Sequence, residues 1–484
     1  MAATKATSGP KLPRRIFAQA SPISEGGTSM FAGSKAITAK SVAEFRSDPR
    51  VITRAKDRLR RAGFEILASN RLTINIAGSA TTYQRAFGRR LEAVEREVLK
   101  ERRERGPVTF IEVEETPVPG LIDTSESSLA DVVEGVAIEE PAVLFATPRP
   151  EPFPPKVDYW HLEVPADVSL GLNADVVHRD GITGSGVKVV MTDTGWFRHP
   201  YFQKRGYRAA NPLLGPGATR PEKDEVGHGT GESANAFAAA PDIEFRMVKN
   251  GFANLTGGFN AAVGLAPDVI SCSWGYDLRN GPLSAANQAL AASVAQAVSD
   301  GIVVVFSAGN GHYGFPGQHP DVISAGGVYM DPAGKLRASN YSSGFESRIY
   351  SGRKVPDVCG LVGQVPAAAY IMLPLEPGDE IDATSYGGQH PQRDETKRDD
   401  GWAAFSGTSA AAPQLAGVVA LIKEACPALT PAEVRDVLRR TARDVTEGTN
   451  AHREQAGPGR DLATGAGLVD AEAAVRSAKR RCGP

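Results

Sequence analysis

Thr192-Asp193-Thr194-Gly195, Gly227-His228-Gly229-Thr230, Ser307-Ala308-Gly309-Asn310 and Ser406-Gly407-Thr408-Ser409-Ala410-Ala411-Ala412-Pro413 are the stretches that decide the fold of this chain. They bring a carboxylate, an imidazole, a carboxamide and a hydroxyl, each beside glycine or small residues that let backbone or substrate come close. A serine hydroxyl is a poor nucleophile at neutral pH. It needs a base within hydrogen-bond reach, and that base needs a partner to fix its tautomer. Ser409, His228 and Asp193 can fill those roles, and their wide separation in sequence requires a fold to gather them.

The surroundings supply that fold. Apolar strands are predicted over 187–191, 243–248, 269–272 and 302–306, with helical segments between them and one helix over 284–298. Such alternation implies an α/β architecture, a doubly wound, mainly parallel sheet with helices on both faces. Ligands gather at the carboxyl ends of its strands. Asp193 and Asn310 each fall just past a predicted strand, while His228 and Ser409 sit where Gly-rich turns enter helices predicted over 229–240 and 408–424. Thr430-Pro431-Ala432-Glu433 opens a further helix with cap, proline and glutamate in the expected places. Each of the four residues has a plainer reading by itself: a turn residue, a bare loop, a helix cap, a turn former. Together, in this order, they read as catalytic, with the Ser409 amide and the Asn310 side chain as the two halves of an oxyanion hole.

Upstream the pattern differs. Residues 1–29, rich in Ser, Gly, Pro and Lys, read as a flexible arm. Residues 30–113 read as a small α+β unit: Asp48 caps a helix carrying Val51, Ala55, Leu59 and Ala62 up to Gly63, and Leu72, Ile74 and Ile76 alternate as a strand. A second helix from Ser79 places Tyr83, Phe87 and Leu91 on one stripe, and 108–113 is a further strand. The alternating charges of 89–105 predict a solvated helix. Residues 114–158, acidic and proline-rich, read as an exposed linker with a candidate cleavage site, ahead of a catalytic unit over 159–484.

At 484 residues the chain is too long for one core. Its 54 basic and 56 acidic side chains give a formal net charge of −2, so neither nucleic acid nor an anionic membrane is expected as a partner. No apolar run approaches the roughly 18 residues of a membrane span. Lys5, Lys11, Arg14 and Arg15 precede a stretch too short and polar for a signal peptide, so the expected location is the cytoplasm, or outside the cell by a route without a recognisable signal. Cys272, Cys359, Cys426 and Cys482 lie far apart and are expected as reduced, mostly buried thiols.

Asp193-Thr194-Gly195, His228-Gly229-Thr230, Ser307-Ala308-Gly309-Asn310 and Gly407-Thr408-Ser409-Ala410-Ala411-Ala412-Pro413 closely resemble the signatures of subtilisin-like serine peptidases, the subtilases. The chain order Asp, His, Ser agrees. The resemblance runs from about residue 160 to 475 and takes in 184–189, Ser273-Trp274-Gly275 and Val355-Pro356-Asp357-Val358. It implies a triad of Asp193, His228 and Ser409, with Asn310 at the oxyanion. Ser273-Trp274-Gly275 would pair with an extended substrate and form one wall of its first specificity pocket, Ser307-Ala308-Gly309 the other wall, and Gly314 its base, where a bare loop glycine is the rival reading. Two positions depart from the family pattern: Gly231 and Gln414 stand where many relatives carry histidine. The reaction needs no redox or nucleotide cofactor. Several subtilases hold structural calcium, yet the acidic loop 393–400 lacks an ordered ligand pattern.

Within 30–113, Ala62-Gly63-Phe64-Glu65-Ile66, 72–78 and 83–88 look like the ferredoxin-like activation prodomains of subtilases and sedolisins, with an unrelated regulatory or docking domain as the rival reading. The implied partners are a protein or peptide substrate and the chain's own prodomain, as intramolecular chaperone and inhibitor. Two alternatives stand beside this reading: a catalytically silent scaffold acting as a regulator, and a hydrolase of small esters or amides.

Overall fold

Val189 and Met191 turn to one side of their strand and Val190 to the other, and each side meets its own apolar core. That strand, Lys188–Asp193, lies inside an eight-stranded sheet in the computed structural model, which describes residues 10–33, 36–99, 105–114, 116–144, 159–366, 368–396 and 400–483. Its neighbours are Glu244–Lys249 and Val269–Cys272, both parallel to it. Beyond them lie Ala209–Leu214 on one flank and Val303–Ser307 and Ile323–Met330 on the other, again parallel. Leu336–Ala338 closes that edge antiparallel, and Val358–Leu361 adds a parallel partner to Ile323–Met330.

Helices His228–Ala239 and Thr408–Ala425 pack into the core on one face, and Leu255–Val263 and Ala285–Ser299 into the core on the other. The architecture is the doubly wound α/β sheet expected, with element boundaries within one or two residues of those read from the sequence. Pro431–Thr441 has the predicted capping box between Thr430 and Glu433. Among the described residues, no helix is long and apolar enough to cross a membrane.

The N-terminal unit is an antiparallel sheet in the order Glu65–Ser69, Ile74–Gly78, Ile16–Pro22, Val133–Ile138, Leu121–Ile122. With helices Pro49–Arg61 and Ala80–Phe87 it has the strand and helix order of a ferredoxin-like fold. Asp48 caps the first helix, accepting from the Arg50 amide at 2.6 Å.

Three expectations are corrected here. Residues 16–22 are the central strand of the sheet rather than part of a flexible arm: Ala18 and Ala20 are fully buried, and their small side chains give no apolar period to read. The linker reading fails over 121–138, which supplies the last two strands of the same sheet. The charged run is a strand, Leu91–Leu99, paired with Arg105–Val113, rather than a solvated helix. Cross-strand pairs such as Leu91 with Val113, and Arg96 lying over Phe110 at 4.8 Å, favour the hairpin.

The cysteines also differ from expectation. Cys426 and Cys482 form a disulfide with 5.8 Å between their Cα atoms, tying the end of Thr408–Ala425 to the last helix, Ala471–Cys482. Helix packing brings the two together, which their separation of 56 residues does not announce. Cys272 and Cys359 are free and buried, as expected.

The two units meet along Ala285–Ser299. Met30, Phe31, Val42, Phe45 and Leu72 pack with Ala285, Ala289, Ala292 and Ala295, whose small side chains allow close approach. Beside this patch the Asn75 and Asn254 amides exchange two hydrogen bonds of 2.8 Å. Buried Glu139 reaches Gln19 at 2.9 Å in its own unit and Thr256 at 3.4 Å across the boundary.

Candidate active site

Asp193 is the last residue of its strand, and the chain then turns so that the helix beginning at His228 stacks directly on the strand end. The contact is tight enough to require glycine. A Cβ at Gly229 would run into the carbonyl oxygen of Gly195 and come within 3.0 Å of the Asp193 Cβ. The result is a 2.7 Å hydrogen bond between His228 Nδ1 and Asp193 Oδ1, with both side chains buried. The Thr194 amide donates to the same Oδ1 at 2.8 Å and helps to orient it.

Sequence reasoning missed the residue that anchors this turn. Buried Asp224 accepts from the Gly227 amide (3.1 Å), the Thr230 amide (2.8 Å) and the Thr230 hydroxyl (2.7 Å), fixing the entry to the His228 helix. Its partners are local, so Asp224 followed by Gly227 and Thr230 is a signal that could have been read.

Burial works against a charged imidazole at His228. The Asp193 carboxylate and its hydrogen bond, with Glu232 and Asp224 behind them, outweigh that cost and hold the pKa up at about 9. The Nε2 atom, the one that would take a proton from a nucleophile, has no hydrogen-bond partner among the described residues.

Ser409 lies in the first turn of Thr408–Ala425, which packs against the His228 helix. First-turn amides lack intrahelical acceptors, so this helix end favours a developing negative charge. The Ser409 hydroxyl donates to the Ser273 carbonyl at 3.3 Å, and the Ser273 hydroxyl returns a bond of 2.8 Å to the Ser409 carbonyl. Asn310 is drawn to the same helix end. Its Oδ1 accepts from the Thr408 amide (2.9 Å) and hydroxyl (3.0 Å), which fixes the carboxamide with Nδ2 as its donor face. Thr408 also receives the Gly309 amide on its hydroxyl at 3.1 Å.

The remaining predicted residues frame a strip of backbone. Trp274–Asp277 is a short strand flanked antiparallel by Gly314–Phe315 on one side and Val143–Leu144 on the other. Leu144 pairs with Trp274 and Val143 with Gly275, so the end of the described N-terminal segment runs along the edge that begins at Ser273, next to Ser409. Trp274 contributes backbone alone: its indole is buried, donates to the Thr192 carbonyl at 2.9 Å and meets Phe306 edge-on. Ser307 ends its strand, Ala308 donates to Ala325 at 2.9 Å, and Gly314 sits opposite Asp277.

No group of three or more His, Cys, Asp or Glu side chains able to hold a metal occurs among the described residues. Within the acidic loop, Asp394 is engaged by its own chain, accepting from Thr396 at 2.8 Å and Ala404 at 2.9 Å, while 397–399 lie outside the described residues.

The fold and this cluster define a class that comparison makes explicit: residues 184–467 match the model of the subtilase family, and the chain belongs to that family. Subtilisin E of Bacillus subtilis (strain 168) is 30% identical over 303 residues, covering 58% of this chain and 66% of that protein. Subtilisin of Bacillus pumilus is also 30% identical over 303 residues, covering 58% of this chain and 91% of that protein. Among solved structures, fervidolysin from Fervidobacterium pennivorans, a keratinolytic enzyme related to subtilisin, superposes with a TM-score of 0.57 at 17% identity. The match covers 97% of this chain and 61% of that one, and at this identity it speaks to fold.

Proposed function

We propose that the protein is a serine endopeptidase, made as a proenzyme, in which Asp193, His228 and Ser409 form the triad and Asn310 completes the oxyanion hole. The observation that carries this reading is the buried 2.7 Å bond from His228 to Asp193, on a helix that packs against the one carrying Ser409 in its first turn. His228 Nε2 takes the Ser409 hydroxyl proton as Oγ attacks the scissile carbonyl carbon. Asp193 holds the ring and balances the imidazolium. The Ser409 amide and Asn310 Nδ2 stabilise the oxyanion, His228 then gives its proton to the departing amine, and water releases the acyl group by the same steps in reverse. Nucleophile, base and oxyanion donors are all side chains or backbone, so no cofactor is required.

Peptides are favoured over simple esters because Trp274–Asp277 can pair with extended backbone along one edge, as Val143–Leu144 does. That pairing also supports the N-terminal unit as an intramolecular inhibitor, and the apolar contact along Ala285–Ser299 supports it as a folding partner of a sheet rich in non-local pairings. Processing is expected shortly after Leu144, within 145–158, which lie outside the described residues. Intact-mass and N-terminal analysis of wild type beside Ser409→Ala tests the reading. Wild type should lose its first 145 or so residues while Ser409→Ala stays whole and folded; a Ser409→Ala protein that still processes itself and cleaves peptides would refute it.

A further inference from the structure

One helical turn after His228 the same helix carries Glu232, with side-chain exposure of 1% at both residues. Its Oε1 lies 4.0 Å from His228 Nε2, and neither atom has a hydrogen-bond partner among the described residues. The other oxygen is held from behind. Asn235 Nδ2 donates to Oε2 at 3.0 Å, and Asn235 Oδ1 accepts from Gln414 Nε2 at 3.1 Å. Gln414 belongs to the Ser409 helix and is itself clasped by Leu361, donating to its carbonyl at 3.0 Å and accepting from its amide at 2.7 Å. A buried line of fixed polar groups thus runs from the backbone of Val358–Leu361, through both helices, to the Nε2 edge of the imidazole, opposite the edge that Asp193 holds.

Burying a carboxyl with one oxygen unpaired is costly, and a residue that only filled space would be apolar. The groups that act electrostatically on the pair are Asp193 at the far side of the ring, Asp224 below Thr230, and the Tyr341 hydroxyl, which bonds to Ser406 at 2.9 Å. These include no basic side chain that would neutralise Glu232.

We propose that Glu232 is a positioning residue for His228: with Asp193 it brackets the imidazole between two buried carboxyl groups, and its charge sets the pH at which His228 becomes a free base. This rests on the reading of His228 as the base. Burial pushes Glu232 up to about 8 against the opposing pull of His228. Two groups coupled in this way release their protons in two steps that belong to the pair. Once ionised, Glu232 favours the imidazolium, so the neutral base appears only at still higher pH. Gln414 then has a role that its departure from the family pattern does not suggest, as the support that holds Asn235 on Glu232.

Glu232→Gln keeps the size and the oxygen for Asn235 but removes the charge. With less to stabilise the imidazolium, the acid limb of kcat/KM in the processed enzyme should move toward lower pH by roughly one unit or more. A limb that stays where wild type has it overturns the proposal. A measurement on the native helix covers a variant that fails to fold: in full-length Ser409→Ala, the His228 ring carbon signal should titrate in two steps, and a single simple step overturns the proposal. His228→Ala separates the two layers. If it is inactive while Glu232→Gln titrates like wild type, only the role of Glu232 fails; if it retains full activity, the base assignment fails and this proposal falls with it.

Discussion

Glycine and carboxylate do most of the positioning at the site. Gly229 lets the helix start rest on the strand end, and a Cβ at Gly227 would collide with the Asp379 carboxylate, so His228 is delivered to Asp193 by the absence of side chains as much as by their presence. Those glycines made the site legible: residues flanked by small neighbours stood out, and Asp193 and His228 are indeed in contact. Asp224 and Glu232 did not stand out. Every residue of His228–Ala239 is buried, so the helix has no polar face on which an acidic residue would mark itself as out of place. Asp193→Asn should leave the fold intact but permit the wrong imidazole tautomer, lowering kcat by about three to four orders of magnitude. Peptide turnover beside a circular-dichroism melt checks this; a loss smaller than tenfold in a folded protein would remove Asp193 from the mechanism.

Elements followed the sequence wherever burial was two-sided or caps were explicit, as in Val269–Cys272 and in the helix opened by Thr430 and Pro431. They departed from it where pairing decides. Ile16–Pro22 is stabilised by two flanking strands and Leu91–Leu99 by one, partners that no local window contains. The same holds for the Cys426–Cys482 bridge between helix ends. Asp357, in the Val355-Pro356-Asp357-Val358 segment, is an element-level anchor: fully buried, it takes a bidentate pair from Arg353 at 2.7 and 2.8 Å, a contact from Arg439, and the Ser324 amide at 2.8 Å. Burial alone would raise its pKa, but the arginines hold the carboxyl well below the usual range. Removing it leaves a buried cation uncompensated, so Asp357→Ala should destabilise the catalytic unit by about 3–5 kcal/mol in urea unfolding. A change under about 1 kcal/mol would mean that water replaces the carboxylate without penalty.

Across the whole molecule, two of the contacts that join the N-terminal unit to the catalytic unit bear on function: the small-residue contact along Ala285–Ser299 and the strand that Val143–Leu144 adds beside the candidate nucleophile. The first suits folding assistance and the second suits restraint, because a chain paired to Trp274 and Gly275 occupies the edge that substrate would use. This arrangement was only half legible. The ferredoxin-like character showed in the Phe64 and Tyr83 segments, but its first and last strands lay outside the boundaries that composition drew, since a strand that buries small alanines and short strands set in an acidic, proline-rich segment resemble arm and linker. The central claim is that Ser409 is an activated nucleophile whose access the N-terminal unit controls. A serine-directed phosphonate probe, followed by peptide mass spectrometry, tests it most directly. The account predicts one adduct, on Ser409, slow in the unprocessed chain and fast once the residues before about 159 are removed. Removal of that segment without any labelling of Ser409, or labelling that persists unchanged in Ser409→Ala, would contradict it.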